Sequence, residues 1–397
     1  MKTNHDDNTL ILYLAGRIDA NNAADIEAEI SEALAKNPGD VPVFDAGELE
    51  YISSAGLRVL LKFRKQFGKN LDVLNASGEV YSIFEVTGFT ELLNVKKRLR
   101  EISLEGLEAI GGGAYSTVYR LDPETIVKVF DKHNSPLAAV EADRRISREV
   151  FLHDIPTAIS YDVVKAGEHY GLVYEMIDAD TLSAFLRKHP ERLEELSLKT
   201  ARFFRKLHTT EFEPEKFHDP RNRFRMMIQK PFDEGLITPE EKAVAEGVID
   251  RIPYRNTFVH TDFHPKNIMV SGDDLILIDV GGAGLGHPII DLAISYLHFF
   301  ALSAESENLG SPIHERIIGL DCKTLITMWD IMMPEYFGTS DKNTLNTYEE
   351  VMKTYSSIII LYIAALDKKD IPPEARIRSA MTRLREAADT LKLIDCI

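Results

Sequence analysis

The sequence predicts two folded units in one chain: an α/β unit with helices packed on a sheet, then an α+β unit built as two lobes. Three observations carry that expectation. Strand and helix patterns alternate through the first hundred residues. A basic segment, "KKRLREISLEG" at residues 96 to 106, then changes the texture of the chain. Beyond it, a strand, a glycine turn and a strand lead into a long, mostly helical remainder. At 397 residues and 44% hydrophobic content, the chain also exceeds one ordinary core, so more than one folded unit is the expected organisation.

The first unit opens with "NTLILYLAGRIDANNAADIEAEISEALAKNPGD", an apolar strand, a turn, and then Ala23, Ile26, Ile30 and Leu34 at helical spacing before a Pro-Gly stop. The pattern repeats as "VPVFDAGELEYI" (strand and loop), "SSAGLRVLLKFRKQFG" (helix), "NLDVLN" (strand) and "SIFEVTGFTELL" (helix). Such alternation builds a sheet with helices on it, and the boundary is placed near residue 102. The second unit starts with "LEAIGGGAYSTVYRLDPETIVKVF", strand, turn and strand, followed by a helical stretch through Glu141 and Glu149. "YGLVYEMIDADTLSAFLRKH" reads as strand, connection and helix, and the rest is helical except for one hairpin.

Composition removes several function classes. Lys plus Arg number 46 against 63 Asp plus Glu, a formal net charge of -17, which repels phosphate backbones and anionic bilayers. Neither nucleic acid nor membrane is an expected partner. Two cysteines, Cys322 and Cys396, make no disulfide framework and no zinc-finger spacing, which fits a reducing cytoplasm. The first thirty residues lack a basic start followed by an apolar block, so no secretory signal is expected. The longest apolar run, Ile358 to Leu366, falls short of the roughly 20 residues a membrane span needs.

The chemistry concentrates in "VHTDFHPKNIMV", residues 259 to 270. "IMV" and "LILI", joined by "SGDD", read as a hairpin, which predicts Asn267 and Asp279 side by side at its open end, about 5 Å apart. An amide oxygen and a carboxylate are hard ligands suited to Mg2+, which also borrows oxygens from a phosphate substrate. Asp262, five residues before Asn267, is placed to take a proton from a hydroxyl nucleophile, as phosphoryl transfer requires. "IGGGAYSTVYR" supplies a phosphate cradle, because Gly111, Gly112 and Gly113 let backbone NH groups approach phosphate oxygens. Lys128 in "IVKVF" is a point charge for the same phosphates. His260 and His264 with Asp262 also admit a zinc reading; hydrogen-bonding braces are the preferred role, because no third ligand pair appears elsewhere.

With those motifs in order, residues 103 to 397 resemble the aminoglycoside phosphotransferase and choline kinase-like small-molecule kinases, specifically at "HTDFHPKNIMV" and "LILIDVGG". The resemblance implies a protein-kinase-like bilobal fold, with a small lobe at about 103 to 176 and a helical large lobe at about 177 to 397. It implies ATP and Mg2+ as cofactors, Asp262 as catalytic base, Asn267 and Asp279 as magnesium ligands, and Lys128 on the α and β phosphates. It further implies that Glu149 (or Glu141) pairs with Lys128, that the backbone near Glu175 and Met176 meets adenine, and that Asp291 braces the catalytic loop. Two positions depart from the pattern: Ser116 replaces the third loop glycine, and Thr261 stands where a glycine usually precedes the aspartate. Residues 1 to 102 resemble the STAS domain of anti-sigma factor antagonists at "LAGRIDANNAADIE" and "YISSAGLRVLL". That implies Ser54 as a phosphorylated residue and an anti-sigma-like protein as a partner, although Ser53 replaces the aspartate that often precedes this serine. An ordinary N-cap is the other reading of Ser54.

The leading function is therefore an ATP-dependent phosphotransferase acting on a small-molecule hydroxyl, with the STAS domain for regulation or docking. A protein kinase acting on a STAS serine and a non-catalytic nucleotide-binding switch are the alternatives. Only eleven residues separate Asp279 from Asp291, too few for the long activation segment of a protein kinase. The acidic excess is compatible with a cationic amine or aminoglycoside acceptor.

Overall fold

The computed structural model describes all residues except 7–8, 68–70, 114–115, 132–135, 310–312 and 367–372. It divides the chain into two compact units, Met1–Ser103 and Leu104–Ile397.

In the first unit, β1 (Lys2–Asp6), β2 (Thr9–Ile18), β3 (Val41–Ile52), β4 (Asp72–Ala76) and β5 (Asn94–Lys97) form one sheet in that order. The β1–β2 pair is antiparallel, which sequence pattern alone did not reveal, and the remaining neighbours are parallel. Crossover helices α1 (Ala23–Lys36), α2 (Ser54–Phe67) and α3 (Gly78–Val86) cover the sheet, and a short strand, β6 (Arg100–Ile102), ends the unit. Alternation along β2 buries Leu10, Leu12 and Leu14, and these meet Phe44, Val73, Phe63 and Phe84 in a single core. Gly56 allows α2 to lie close, because a Cβ there would stand 2.7 Å from both Ile18 and Ile52.

The second unit begins with β7 (Ala109–Gly112), β8 (Ser116–Arg120) and β9 (Thr125–Phe130), then α4 (Leu137–Leu152), β10 (Ser160–Ala166) and β11 (His169–Glu175). Strands β10, β11, β9, β8 and β7 are neighbours in that order, all antiparallel. After β12 (Asp180–Thr181) come α5 (Leu182–Lys188), α6 (Leu193–Thr209), α7 (Arg221–Asp233) and α8 (Pro239–Ile249). Next are β13 (Phe258–Val259), the hairpin β14 (Ile268–Ser271) and β15 (Asp274–Leu277), then β16 (Gly284–Leu285) and α9 (Ile289–Ser295). One π-helical stretch, Tyr296–Ala301, links α9 to α10 (Leu302–Leu309) and α11 (Ile313–Ile318) in the C-terminal half. There α12 (Cys322–Phe337) and α13 (Lys342–Leu366) pack into a core with Phe204, Phe224, Phe263, Phe299, Trp329 and Tyr355. The run Ile289–Ser306 has a mean hydropathy of 1.2 and is 61% buried inside the fold.

Candidate functional site

Lys128 sits in the middle of β9, and its Nζ lies 2.5 Å from Asp279 Oδ1 and 3.7 Å from Asp143 Oδ2. Asp143 is on the inward face of α4 with Val140, Ile146, Ser147 and Val150. Its Oδ1 accepts hydrogen bonds from Tyr174 OH at 3.0 Å and Ser147 Oγ at 3.3 Å. Gly281 makes room for this carboxyl, since a Cβ at that position would fall 2.1 Å from Asp143 Cγ. Burial works against the Lys128 ammonium, but the two carboxylates outweigh it and hold its pKa above the ordinary value. Burial likewise raises Asp143, only partly countered by Lys128, whereas Lys128 holds Asp279 below the usual range despite burial.

The expected Glu149–Lys128 pair does not form. Glu149 Oε2 meets Lys216 Nζ at 3.0 Å instead, and Glu141 is exposed. The reason is helical phase. Six residues separate Asp143 from Glu149, so with 3.6 residues per turn the two point to different sides of α4. Asp143 was missed by sequence reasoning, and its signal was an acidic residue inside the apolar i, i+3, i+4, i+7 stripe of α4.

Asp262 lies on the loop between β13 and β14. Asn267 Nδ2 donates to Asp262 O at 3.0 Å and to its Oδ2 at 3.2 Å, and His264 Nε2 is 3.6 Å from the same Oδ2. Burial alone would raise the pKa of Asp262. The approach of His264, with the nearby Arg223 guanidinium, reverses this and holds the carboxyl well below the usual range. The loop is anchored from beneath by the fully buried Asp291, which accepts the backbone NH groups of His260 at 2.6 Å and Thr261 at 2.5 Å. His208 Nε2 also meets Asp291 at 3.1 Å, and Tyr336 OH meets His208 Nδ1 at 2.7 Å. His260 Nε2 reaches Ile278 O at 3.1 Å, bracing the loop against the segment after β15 that leads into Asp279. His208 and Tyr336 lie far away in sequence and carried no readable signal.

Two residues here hold left-handed backbone: Thr261 at φ 66° and Asp279 at φ 60°. For a β-branched residue this conformation costs about 1–2 kcal/mol, which explains why glycine suits position 261. Thr261 offsets the cost with hydrogen bonds, donating its hydroxyl to Gly282 O at 3.0 Å and accepting from Arg223 Nη1 at 3.2 Å. The hairpin register also differs from expectation. Ile268 pairs with Leu277, so Ile278, not Asp279, stands opposite Asn267 and donates its NH to Asn267 O at 2.9 Å. Asp279 lies one residue farther along, and its left-handed turn redirects the chain toward Lys128.

The glycine turn behaves unevenly. Gly113 N donates to Ser116 O at 2.9 Å, and a Cβ on Gly112 would meet that same oxygen at 2.9 Å, whereas Gly111 and Gly113 face no close neighbour. Ala114 and Tyr115, at the tip of the predicted cradle, lie outside the described residues. At the expected adenine stretch, Glu175 NH donates to Ile159 O and Met176 NH to Glu124 O. Both NH groups are thus committed within the fold, and a purine meeting this stretch needs other backbone groups. Among the described residues no group of three or more His, Cys, Asp or Glu side chains is placed to hold a metal, and His260 Nε2 meets Ile278 O while His264 Nδ1 accepts Lys266 NH. In the first unit, Ser53 caps α2, accepting Ala55 NH at 3.2 Å, and Ser54 is the exposed first helical residue.

Residues 106–311 match the model of the phosphotransferase enzyme family, and residues 1–102 match that of the STAS domain. The chain belongs to the phosphotransferase enzyme family and carries a STAS domain at its N-terminal side. A Bordetella bronchiseptica protein named as an anti-sigma factor antagonist, BtrV, is 38% identical over 92 residues, 22% of this chain and 78% of that protein. Among solved structures, an ADP-bound aminoglycoside phosphotransferase APH(2'')-Ib is 16% identical, covering 73% of this chain and 94% of its own, with a TM-score of 0.43. A choline kinase from Cryptosporidium parvum is 13% identical, covering 73% and 90%, with a TM-score of 0.42.

Proposed function

We propose that the second unit transfers the γ-phosphate of ATP to the hydroxyl of a small molecule, and that the STAS domain docks or regulates it in the cytoplasm. The observation that carries this reading is the Lys128–Asp279–Asp143 cluster beside a loop that presents Asp262 and Asn267 on an Asp291 anchor. In this reading the small lobe ends near Met176, and β7, β8 and their glycines cover the phosphates.

Lys128 is the charge for the α and β phosphates, with Asp143 as the acid that holds it. The hard oxygens of Asn267 and Asp279 suit Mg2+: with Asn267 Nδ2 spent on Asp262, its amide oxygen is the atom left for a cation. An ion held by these two oxygens would supply charge neutralisation to the transferring phosphates. The acceptor oxygen bonds to Pγ, the bond from Pγ to the bridging oxygen breaks, ADP leaves, and the hydroxyl proton passes to Asp262. So acidic a carboxylate is a weak base but a good orienting acceptor, which a loose phosphoryl-transfer transition state favours. On the STAS domain, Ser54 offers an exposed hydroxyl in the first turn of α2, where the positive end of the helix dipole favours a phosphate, and an anti-sigma-like protein is the matching partner. The stretch from Asp279 to Asp291 is filled by a helical turn and by β16 paired with β13, which favours a small-molecule acceptor over a protein one.

Asp279→Ala and Asp262→Asn test the assignment. The first is expected to lose magnesium-dependent ATP binding. The second should keep ATP binding and lose turnover by about 10²–10⁴. Equal affinity and turnover in both variants and the wild type would sink it.

A further inference from the structure

The start of α7 is pinned against the strand that follows Asp279. His218 Nε2 donates to Gly282 O at 3.2 Å, and Pro220 packs where side chains on Gly284 and Gly286 would otherwise stand. This docking delivers three arginines on one helix. Arg221 forms a bidentate pair with Asp219, and Arg225 meets Asp250 at 2.7 Å. Arg223 differs. It is partly buried, has no carboxylate within 4 Å among the described residues, and uses one of its five NH donors, on Thr261 Oγ1.

Its position is specific to the site. A side chain on Gly282 would begin 3.4 Å from Arg223 Nη1 and 3.4 Å from Thr261 Oγ1, so the guanidinium lies in the space that the glycine leaves beside the Asp262 loop. Lys266, on the same loop, likewise has no carboxylate partner among the described residues, and its Nζ meets only Arg316 O at 3.4 Å. In a chain with a formal net charge of -17, Arg223 makes no ion pair within 4 Å among the described residues and feels Asp262 only at longer range, so its remaining NH donors are open to an anionic group. A guanidinium matches carboxylate and phosphate groups through two parallel hydrogen bonds.

Resting on the assignment of Asp262 as the group that orients the acceptor, we infer that the acceptor is an anionic alcohol: a small molecule with a carboxylate or phosphate near its hydroxyl, held by Arg223. Local charge, not the acidity of the whole chain, then selects the substrate class, against a cationic amine or aminoglycoside.

Three three-carbon probes separate the charges: glycerate, glycerol and 3-aminopropane-1,2-diol. With the full-length protein, the affinity of each is measured calorimetrically beside a non-hydrolysable ATP analogue and Mg2+, and acceptor-dependent ADP release is measured with ATP. Glycerate is expected to bind at least tenfold more tightly than either alternative and to be the best acceptor. Arg223→Gln should erase that margin and Arg223→Lys should keep part of it, with nucleotide affinity and melting temperature reported for both variants. Equal affinities, no binding of any probe, or preference for the amine overturns the inference. So does an Arg223→Gln variant that slows all acceptors by one common factor, which would place Arg223 on the transferring phosphate. A wild-type protein that binds no magnesium-ATP removes the phosphotransfer reading itself, whereas intact nucleotide binding with no charge preference removes only this inference.

Discussion

Gly281→Ala is the substitution whose cost the geometry sets most directly. The new Cβ would lie 2.1, 2.2 and 2.3 Å from Asp143 Cγ, Oδ2 and Oδ1, where carbon contacts ordinarily sit at about 3.5–4.0 Å. Gly281 is not in the left-handed region, so alanine is excluded by space and not by conformation. The carboxyl must retreat by more than about 1 Å, giving up Tyr174, Ser147 and Lys128. The two lost hydrogen bonds are worth about 0.5–1.5 kcal/mol net each, and overpacking adds about 1–3 kcal/mol, so a loss of about 2–6 kcal/mol is expected for this unit. The corresponding fall in melting temperature is about 5–20 °C. Trp329 is the single tryptophan of the chain and is buried in α12, so its fluorescence follows the second unit alone. ATP affinity should fall as well, because Lys128 loses a partner. In an Asp143→Ala background the same substitution should cost under about 1 kcal/mol, since the clash is gone. A melting temperature within 1 °C of wild type, or an unchanged penalty in that background, would refute the reasoning.

Burial pushes His287 and His298 down to about 3, and His287 Nε2 and His298 Nδ1 meet no hydrogen-bond partner among the described residues. Between their unfolded pKa near 6.5 and the folded value the unfolded chain binds more protons, so stability is full above that range and falls on acidification. The urea midpoint followed by Trp329 should drop between pH 7 and pH 5, equivalent to about 2–4 kcal/mol; a flat profile would contradict the assignment. Because Ser53 is the cap, Ser53→Ala should cost the first unit about 1 kcal/mol, and Ser54→Ala should leave its melting curve almost unmoved. Mass spectrometry after incubation with ATP then asks whether Ser54 takes a phosphate, and Ser54→Asp whether kinase turnover responds to it. Residues 1–103 and 104–397 each bury their own core, so each should express as a cooperatively melting fragment; an insoluble second fragment would show that its core needs the first.

Much of this was legible in the chain because the deciding signals are local. Period-two and period-3.6 patterns marked β2, α1 and α2, and the order of glycine turn, Lys128, Asp262, Asn267 and Asp279 singled out residues for which phosphoryl transfer is the proposed chemistry. The sequence could also assign Asp291 to the loop, through its resemblance to kinases. What it did not carry was phase and register. Choosing Asp143 over Glu149 requires knowing which side of α4 faces β9, and a rotation of a fraction of a turn exchanges them. Placing Ile278 opposite Asn267 depends on one step of hairpin pairing, and a one-residue slip moves Asp279 off the ladder. The place of Arg223 beside the Asp262 loop, the His208–Tyr336 support beneath Asp291 and the need for glycine at position 281 arise from chain segments tens of residues apart. Sequence determined which chemical groups were available and roughly where. Only tertiary packing decided which of them meet, because hydrogen bonds and steric limits act over a few ångströms, while the pattern that selects a helix or strand fixes its direction in space far more coarsely.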